Sequence, residues 1–165
     1  MQLTVNTPEE MEKLGARIAA HLGAGSLVAL NGELGAGKTT LTRGIGTALG
    51  VRGAVTSPTF VLARTHPRAD NAPPLIHVDA YRLSSAAELD DLDIDFDASI
   101  VVVEWAEGML HGITDSWLQV DIQRPIGEAV NDADSVDADD AQPRIVTVLG
   151  HGAFWQQRLN DVFAI

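Results

Sequence analysis

The sequence contains no cysteine, so disulfides, a thiolate nucleophile and a cysteine-ligated zinc are all excluded. That fits a reducing compartment. Lysine is almost as scarce, with only Lys13 and Lys38. Basic residues are few in total: 11 Lys and Arg face 23 Asp and Glu, for a formal net charge of −12. Nucleic-acid phosphates attract Lys and Arg, so no direct nucleic-acid binding is expected of this chain. No apolar run approaches the roughly 20 residues of a membrane-spanning helix. The start, MQLTVNTPEEMEKLG, has neither the basic start nor the apolar core of a signal peptide. The expectation is a soluble, cytoplasmic protein without membrane contact.

What is present is enough for one domain over residues 1–165, with 45% hydrophobic residues. A chain of this length buries roughly 70% of the surface that it would expose unfolded. The charge is unevenly placed. Glu88 to Asp97 holds six acids and no base, and Glu128 to Asp140 holds six more and no base. The remaining 11 acids balance the 11 bases. The second cluster lies in a small, polar stretch, EAVNDADSVDADDAQ at 128–142, which reads as a mobile acidic loop.

Period and punctuation predict the elements. Gln2 to Val5 reads as a strand. Thr7-Pro8-Glu9-Glu10 is a helix start, with Thr7 as cap, Pro8 in the first helical position and Glu10 closing a capping box. Met11, Leu14, Ile18 and Leu22 follow at helical spacing, with Gly23 as the stop. Ser26 to Asn31 reads as a buried strand and Lys38 to Leu49 as a helix ending at Gly50. Strands are expected at Thr59 to Thr65, Leu75 to Asp79 and Ser99 to Val103. Ser85 to Glu88 is a second capping box, and Leu92, Ile94 and Phe96 alternate as an extended edge would. Trp117 to Gln123 and Arg144 to Leu149 alternate apolar and polar residues, as an antiparallel pair does. Ala153 to Phe163 reads as a closing helix. With the G-x-x-x-x-G-K-[ST] pattern met at Gly32 to Thr39, the fold expected is α/β, a P-loop NTPase with a mostly parallel central sheet flanked by helices and a C-terminal antiparallel strand pair.

The chemistry concentrates at Gly32 to Thr39, GELGAGKT, which satisfies G-x-x-x-x-G-K-[ST] between a predicted strand and a predicted helix. Glycines let backbone N–H groups turn toward a phosphate, and the helix N-terminus adds partial positive charge. Gly35, Ala36, Gly37, Lys38, Thr39 and Thr40 are therefore the expected phosphate-binding residues. Lys38 reaches the β- and γ-phosphates, and the Thr39 hydroxyl ligates Mg²⁺. Such a site also needs an acid near the metal. Two apolar strands end in one: Asp79 after LIHV and Glu104 after IVVV. The sequence leaves open which holds the metal and which orients water.

Thr56-Ser57-Pro58-Thr59 is a hydroxyl-bearing loop placed to sense a γ-phosphate, and Thr59 is included among the binding residues. Trp105, next to Glu104, is a candidate for the nucleotide side, and Thr7 for the adenine side. His77 reads as a packed histidine. Asp91, Asp93 and Asp95 begin an EF-hand spacing, but Phe96 stands where the loop needs Gly, and calcium is rejected.

The ordered set GELGAGKTT (32–40), SPTF (57–60), HVDAYRL (77–83) and VVVEWAE (101–107) closely resembles the TsaE family, the ATPase component of the bacterial machinery that makes threonylcarbamoyladenosine in tRNA. The resemblance implies ATP and Mg²⁺ as cofactors, with Lys38, Asp79 and Glu104 as the catalytic set. It implies TsaB and TsaD as partners. By the same resemblance, TsaD would carry the transfer chemistry and this subunit would reset the complex between turnovers. tRNA is then met only indirectly, through the complex. Tyr81 and Arg82 would lie toward the partner. The acidic 128–142 stretch is longer than the family pattern leads one to expect. A small-molecule P-loop kinase is the main alternative, and an ATP-binding adaptor with incidental turnover is another. A GTPase is disfavoured because no N-K-x-D tetrapeptide exists.

Overall fold

The computed structural model describes residues 1–58, 60–124 and 142–163. Thr59 and all of the acidic 128–142 stretch except Gln142 lie outside the described residues. In chain order the elements are β1 (Gln2–Val5), α1 (Pro8–Ala19), β2 (Leu27–Asn31), α2 (Lys38–Leu49), β3 (Ala63–His66), β4 (Leu75–Asp79), α3 (Ala86–Asp90), β5 (Ile100–Glu104), β6 (Trp117–Gln123), β7 (Arg144–His151) and α4 (Gly152–Phe163).

The seven strands form one mixed sheet in the order β1-β7-β6-β2-β5-β4-β3. The centre, β6-β2-β5-β4, is parallel. The outer pairs β3–β4, β6–β7 and β1–β7 are antiparallel. Alternation along the buried strands sorts side chains onto two faces. Val28, Leu30, Ile100 and Val102 pack with Met11, Leu14 and Ile18 of α1, Leu41 and Ile45 of α2, and Trp155 of α4. Leu27, Ala29, Val101 and Val103 pack on the other face with Leu89 of α3 and with Ala106 and Leu110. Leu75, His77 and Asp79 therefore share a face with Ile100, Val102 and Glu104, on the side of α2.

Local signals set most boundaries. The Thr7 side chain accepts from Glu10 N–H, and Glu10 Oε2 accepts from the Asn6 backbone N–H at 2.7 Å, so α1 starts with a cap at each end of one turn. Ser85 accepts from Glu88 N–H and starts α3. Gly50, at φ 67, ends α2.

Three expectations need correction. The strand expected from residue 59 begins at Ala63: both Val61 and Leu62 donate N–H to Pro58 O, and Leu62 sits at φ 64. Phe60 and Val61 are thereby left 88% and 57% exposed. Helix α1 ends at Ala19, short of Leu22. His21 and Leu22 bond three residues back, which tightens the last turn, and Leu22 still packs on the core. Residues 92–96 form no extended edge, since Leu92 and Asp93 bond three residues back and Asp93 adopts φ 54, although Leu92, Ile94 and Phe96 do pack against the α3-side core.

Helices α1 and α2 cross at two glycines. A Cβ on Gly44 would strike the Glu12 backbone, and one on Gly15 would strike the carbonyl of Leu41. Contact this close presses α2, and with it the loop before α2, onto α1. Gly44→Leu is expected to cost about 3 kcal/mol or to prevent folding. Gly50→Asn, at an open left-handed position with nothing within 4 Å of a Cβ, should stay within about 1 kcal/mol of wild type. Thermal melts of the two variants check this, and equal melting temperatures would refute it.

Candidate functional site

Strand β2 delivers the chain into a loop that only glycine-like backbone can follow: Gly32, Gly35 and Gly37 lie at φ 147, 74 and 112. Gly37 is the N-cap of α2 and supplies no side-chain cap. The first N–H groups of the helix, which have no partner within the helix, are thus not claimed by a capping side chain. A helix start of this kind favours an anion.

Lys38 opens the helix and is only 4% exposed. Its Nζ donates to Gly32 O at 2.8 Å and to Glu33 O at 2.9 Å, and it lies 3.8 Å from the centre of the Trp105 ring. Burial pulls the Lys38 pKa below the usual lysine value, and the nearby Glu104 and Asp79 charges pull it partly back. The Thr39 hydroxyl donates to Glu104 Oε1 at 2.8 Å.

Parallel pairing of β4 and β5 sets Asp79 opposite Glu104. Both are buried, at 4% and 3% exposure. Asp79 Oδ1 accepts from the Tyr81 backbone N–H at 3.1 Å, and its Oδ2 lies 3.5 Å from Ser57 Oγ. Glu104 Oε1 is also 2.7 Å from His77 Nε2. Trp105 leaves the strand at φ 60, which turns its ring over Lys38 and to within 5.3 Å of the Tyr81 ring.

These groups line one cleft of about 730 Å³, where Lys38, Thr39, Asp79, Glu104 and Trp105 meet Ser57 and Tyr81. A smaller cavity of about 60 Å³ lies on the other side of the glycine-rich loop. Thr7, Ala36 and Arg144 border it, while Gly35, Gly37 and Thr40 border both spaces. The structure therefore brings the sequence-derived residues to one loop but on two sides of it. Thr7 stands apart from the two carboxylates, and Thr59 lies outside the described residues.

Two residues were passed over by sequence reasoning, and a third, His77, was read as a packed histidine. It is packed, and it also reaches Glu104 because neighbouring strands pair in register, which no local pattern announces. Arg124, just past β6, donates from Nη2 to Leu34 O at 2.9 Å and packs where a side chain at Gly35 would stand. The signal available was Gly35 itself, a third glycine in the loop that the motif spacing does not require. Arg144 borders the smaller cavity from the first residue of β7.

Fold and site define an α/β protein in which a glycine-rich loop and a buried lysine face two strand-end carboxylates across one cleft. Comparison with known proteins narrows that class. The family model for "Threonylcarbamoyl adenosine biosynthesis protein TsaE" matches residues 5–130, and the chain belongs to this family. A "tRNA threonylcarbamoyladenosine biosynthesis protein TsaE" of Streptomyces coelicolor is 54% identical, across 88% of this chain and 93% of that protein. The protein so described in Mycobacterium tuberculosis is 47% identical over 73% of this chain and 77% of its own length. That of Bacillus subtilis is 38% identical over 73% and 75%. The crystal structure of Bacillus subtilis YdiB superposes with a TM-score of 0.74 at 25% identity, covering 99% of this chain and 93% of that one. Among the described residues no helix is long and apolar enough to cross a membrane.

Proposed function

We propose that this chain binds ATP with Mg²⁺ and hydrolyses it as a subunit of the tRNA threonylcarbamoyladenosine machinery, working with TsaB and TsaD and resetting the complex between turnovers. One observation carries the reading: Lys38, Thr39, Asp79 and Glu104 line a single cleft at the start of α2. Membership of the TsaE family supports the pathway.

The donor set fits the metal. The Thr39 hydroxyl lies 2.8 Å from the Glu104 carboxylate, and Asp79 is the register partner of Glu104, so the site offers hard oxygens close together. Among the described residues no group of three or more His, Cys, Asp or Glu forms a cation cage. Mg²⁺ needs none, since it takes one or two carboxylates with phosphate and water oxygens. When bound it neutralises charge on the phosphates.

The protein's own part is positioning and charge stabilisation. The glycine-rich loop and the α2 N-terminus cradle the phosphates. Lys38 exchanges carbonyl contacts for phosphate oxygens. Thr39, Asp79 and Glu104 would hold the metal, and the two carboxylates would orient the attacking water. The adenosine side falls to the Thr7 and Arg144 wall. At the mouth, Leu34 and Tyr81 are 84% and 66% exposed, and Phe60, 88% exposed, stacks near Arg82. So much open apolar surface beside the cleft supports a partner seated over it, and the net charge of −12 supports meeting tRNA only through that partner.

The test is ATP turnover by the purified chain, alone and with TsaB and TsaD, together with co-purification of the three with and without ATP. Slow turnover alone, a changed rate in the complex, and no tRNA binding by the isolated chain at physiological salt are expected. Failure to associate in any nucleotide state would refute the partnership. Phosphate transfer to a metabolite faster than hydrolysis would establish a kinase instead.

A further inference from the structure

Beneath the two carboxylates lies a polar group that the proposed mechanism does not use. His77 is fully buried, two residues before Asp79 on β4, among Leu75, Ile100 and Val102, with the buried His66 of β3 near enough to interact with it. An imidazole in an apolar layer costs stability unless it is bonded. Its Nε2 has a partner, Glu104 Oε1 at 2.7 Å, whereas Nδ1 is buried with no hydrogen-bond partner. A carboxylate offers no hydrogen, so the proton of this contact belongs to His77. A ring hydrogen on Nε2 satisfies this contact, whereas one on Nδ1 has no acceptor to meet.

The Thr39 hydroxyl donates to that same oxygen at 2.8 Å. Two donors from different elements, β4 and the first turn of α2, thus converge on Oε1, and Oε2 is taken up by neither. A long, flexible glutamate is held in one orientation from below and from the side.

We propose that His77 is the positioning residue for Glu104: its Nε2–H fixes the carboxylate so that the oxygen it leaves is presented to the metal and water side of the cleft. The inference rests on the nucleotide reading above and deepens it. His77 touches no substrate. It acts through Glu104, as outer-shell partners orient metal-binding carboxylates elsewhere.

The experiment compares wild type, His77→Leu and His77→Gln. Calorimetry gives ATP affinity with and without Mg²⁺, steady-state kinetics give kcat and KM, and thermal melts report the fold. Leucine should pack in the apolar layer and keep the melting temperature within a few degrees. ATP affinity without Mg²⁺ should stay within about twofold. The tightening that Mg²⁺ produces, and kcat, should fall by about 10- to 100-fold. Glutamine, which can place an N–H near the position of Nε2, should recover much of both. On the wild-type protein, imidazole ¹⁵N shifts should show hydrogen on Nε2, a readout that does not depend on either variant folding. A ring with no hydrogen on Nε2 would overturn the inference. So would a folded His77→Leu protein with wild-type kcat and Mg²⁺ effect, or equal losses in both variants accompanied by equal drops in melting temperature. Absence of Mg²⁺-dependent ATP binding in the wild type would instead remove the nucleotide reading and the inference with it.

Discussion

Lys38→Ala is expected to weaken ATP binding by about 100-fold or more, measured by calorimetry on protein whose circular dichroism matches wild type. The ammonium is nearly buried, and its hydrogen-bond partners are the Gly32 and Glu33 carbonyls rather than a carboxylate. Burial lowers its pKa, so the charged form is held there at a cost. A bound phosphate offsets that cost with a charge-assisted bond, worth about 3 kcal/mol at a site screened from water, which is about 100-fold in affinity. The other lysine, Lys13, lies on α1 outside both spaces bordering the loop and cannot substitute. Wild-type affinity in the variant would refute the site.

Glu104→Gln should separate binding from turnover. The change keeps the shape and keeps an Oε1 able to accept from both Thr39 and His77, so the local geometry survives. It removes the negative charge. Hydrolysis is expected to fall by about 10²- to 10³-fold, the usual cost of losing one preorganised electrostatic group. ATP affinity without Mg²⁺ should change by less than about threefold. Single-turnover phosphate release and calorimetry make the comparison. Turnover within twofold of wild type would show that Asp79 alone serves the chemistry.

How far the site could be read from residues alone depends on the range of the interaction. The loop from Gly32 to Thr39 is a local pattern, and so is its setting between strand and helix. The two strand-end acids were legible because an apolar strand that stops at a carboxylate puts that group at the sheet edge. The alignment of Asp79 with Glu104 was not legible, because it depends on which strands are neighbours: residues 75–79 and 100–104 pair directly, with 80–99 running outside. The bond from His77 to Glu104 follows from that pairing and was equally hidden. Local chemistry also misled. Thr-Phe-Val-Leu at 59–62 has strand-forming residues, yet Pro58 O captures two following N–H groups and turns the chain. The helical period ran on to Leu22 because a residue in a tightened final turn can still face the core.

The two ends of the sheet's longest detour have a consequence for biosynthesis. The N-terminal ammonium bonds Val148 O at 2.7 Å, and β1 pairs only with β7, whose first residue, Arg144, closes the small cavity opposite Thr7. On the ribosome, the wall bearing Lys38, Asp79 and Glu104 can be assembled once β5 has emerged. The Thr7 wall cannot, because among the described residues the strand before it, β1, has no neighbour until β7 is made. During synthesis the N-terminal strand must therefore wait as an unpaired edge, the kind of surface on which nascent chains aggregate. A chain cut short before Arg144 would carry the carboxylate cleft and lack the Arg144 border of the smaller cavity.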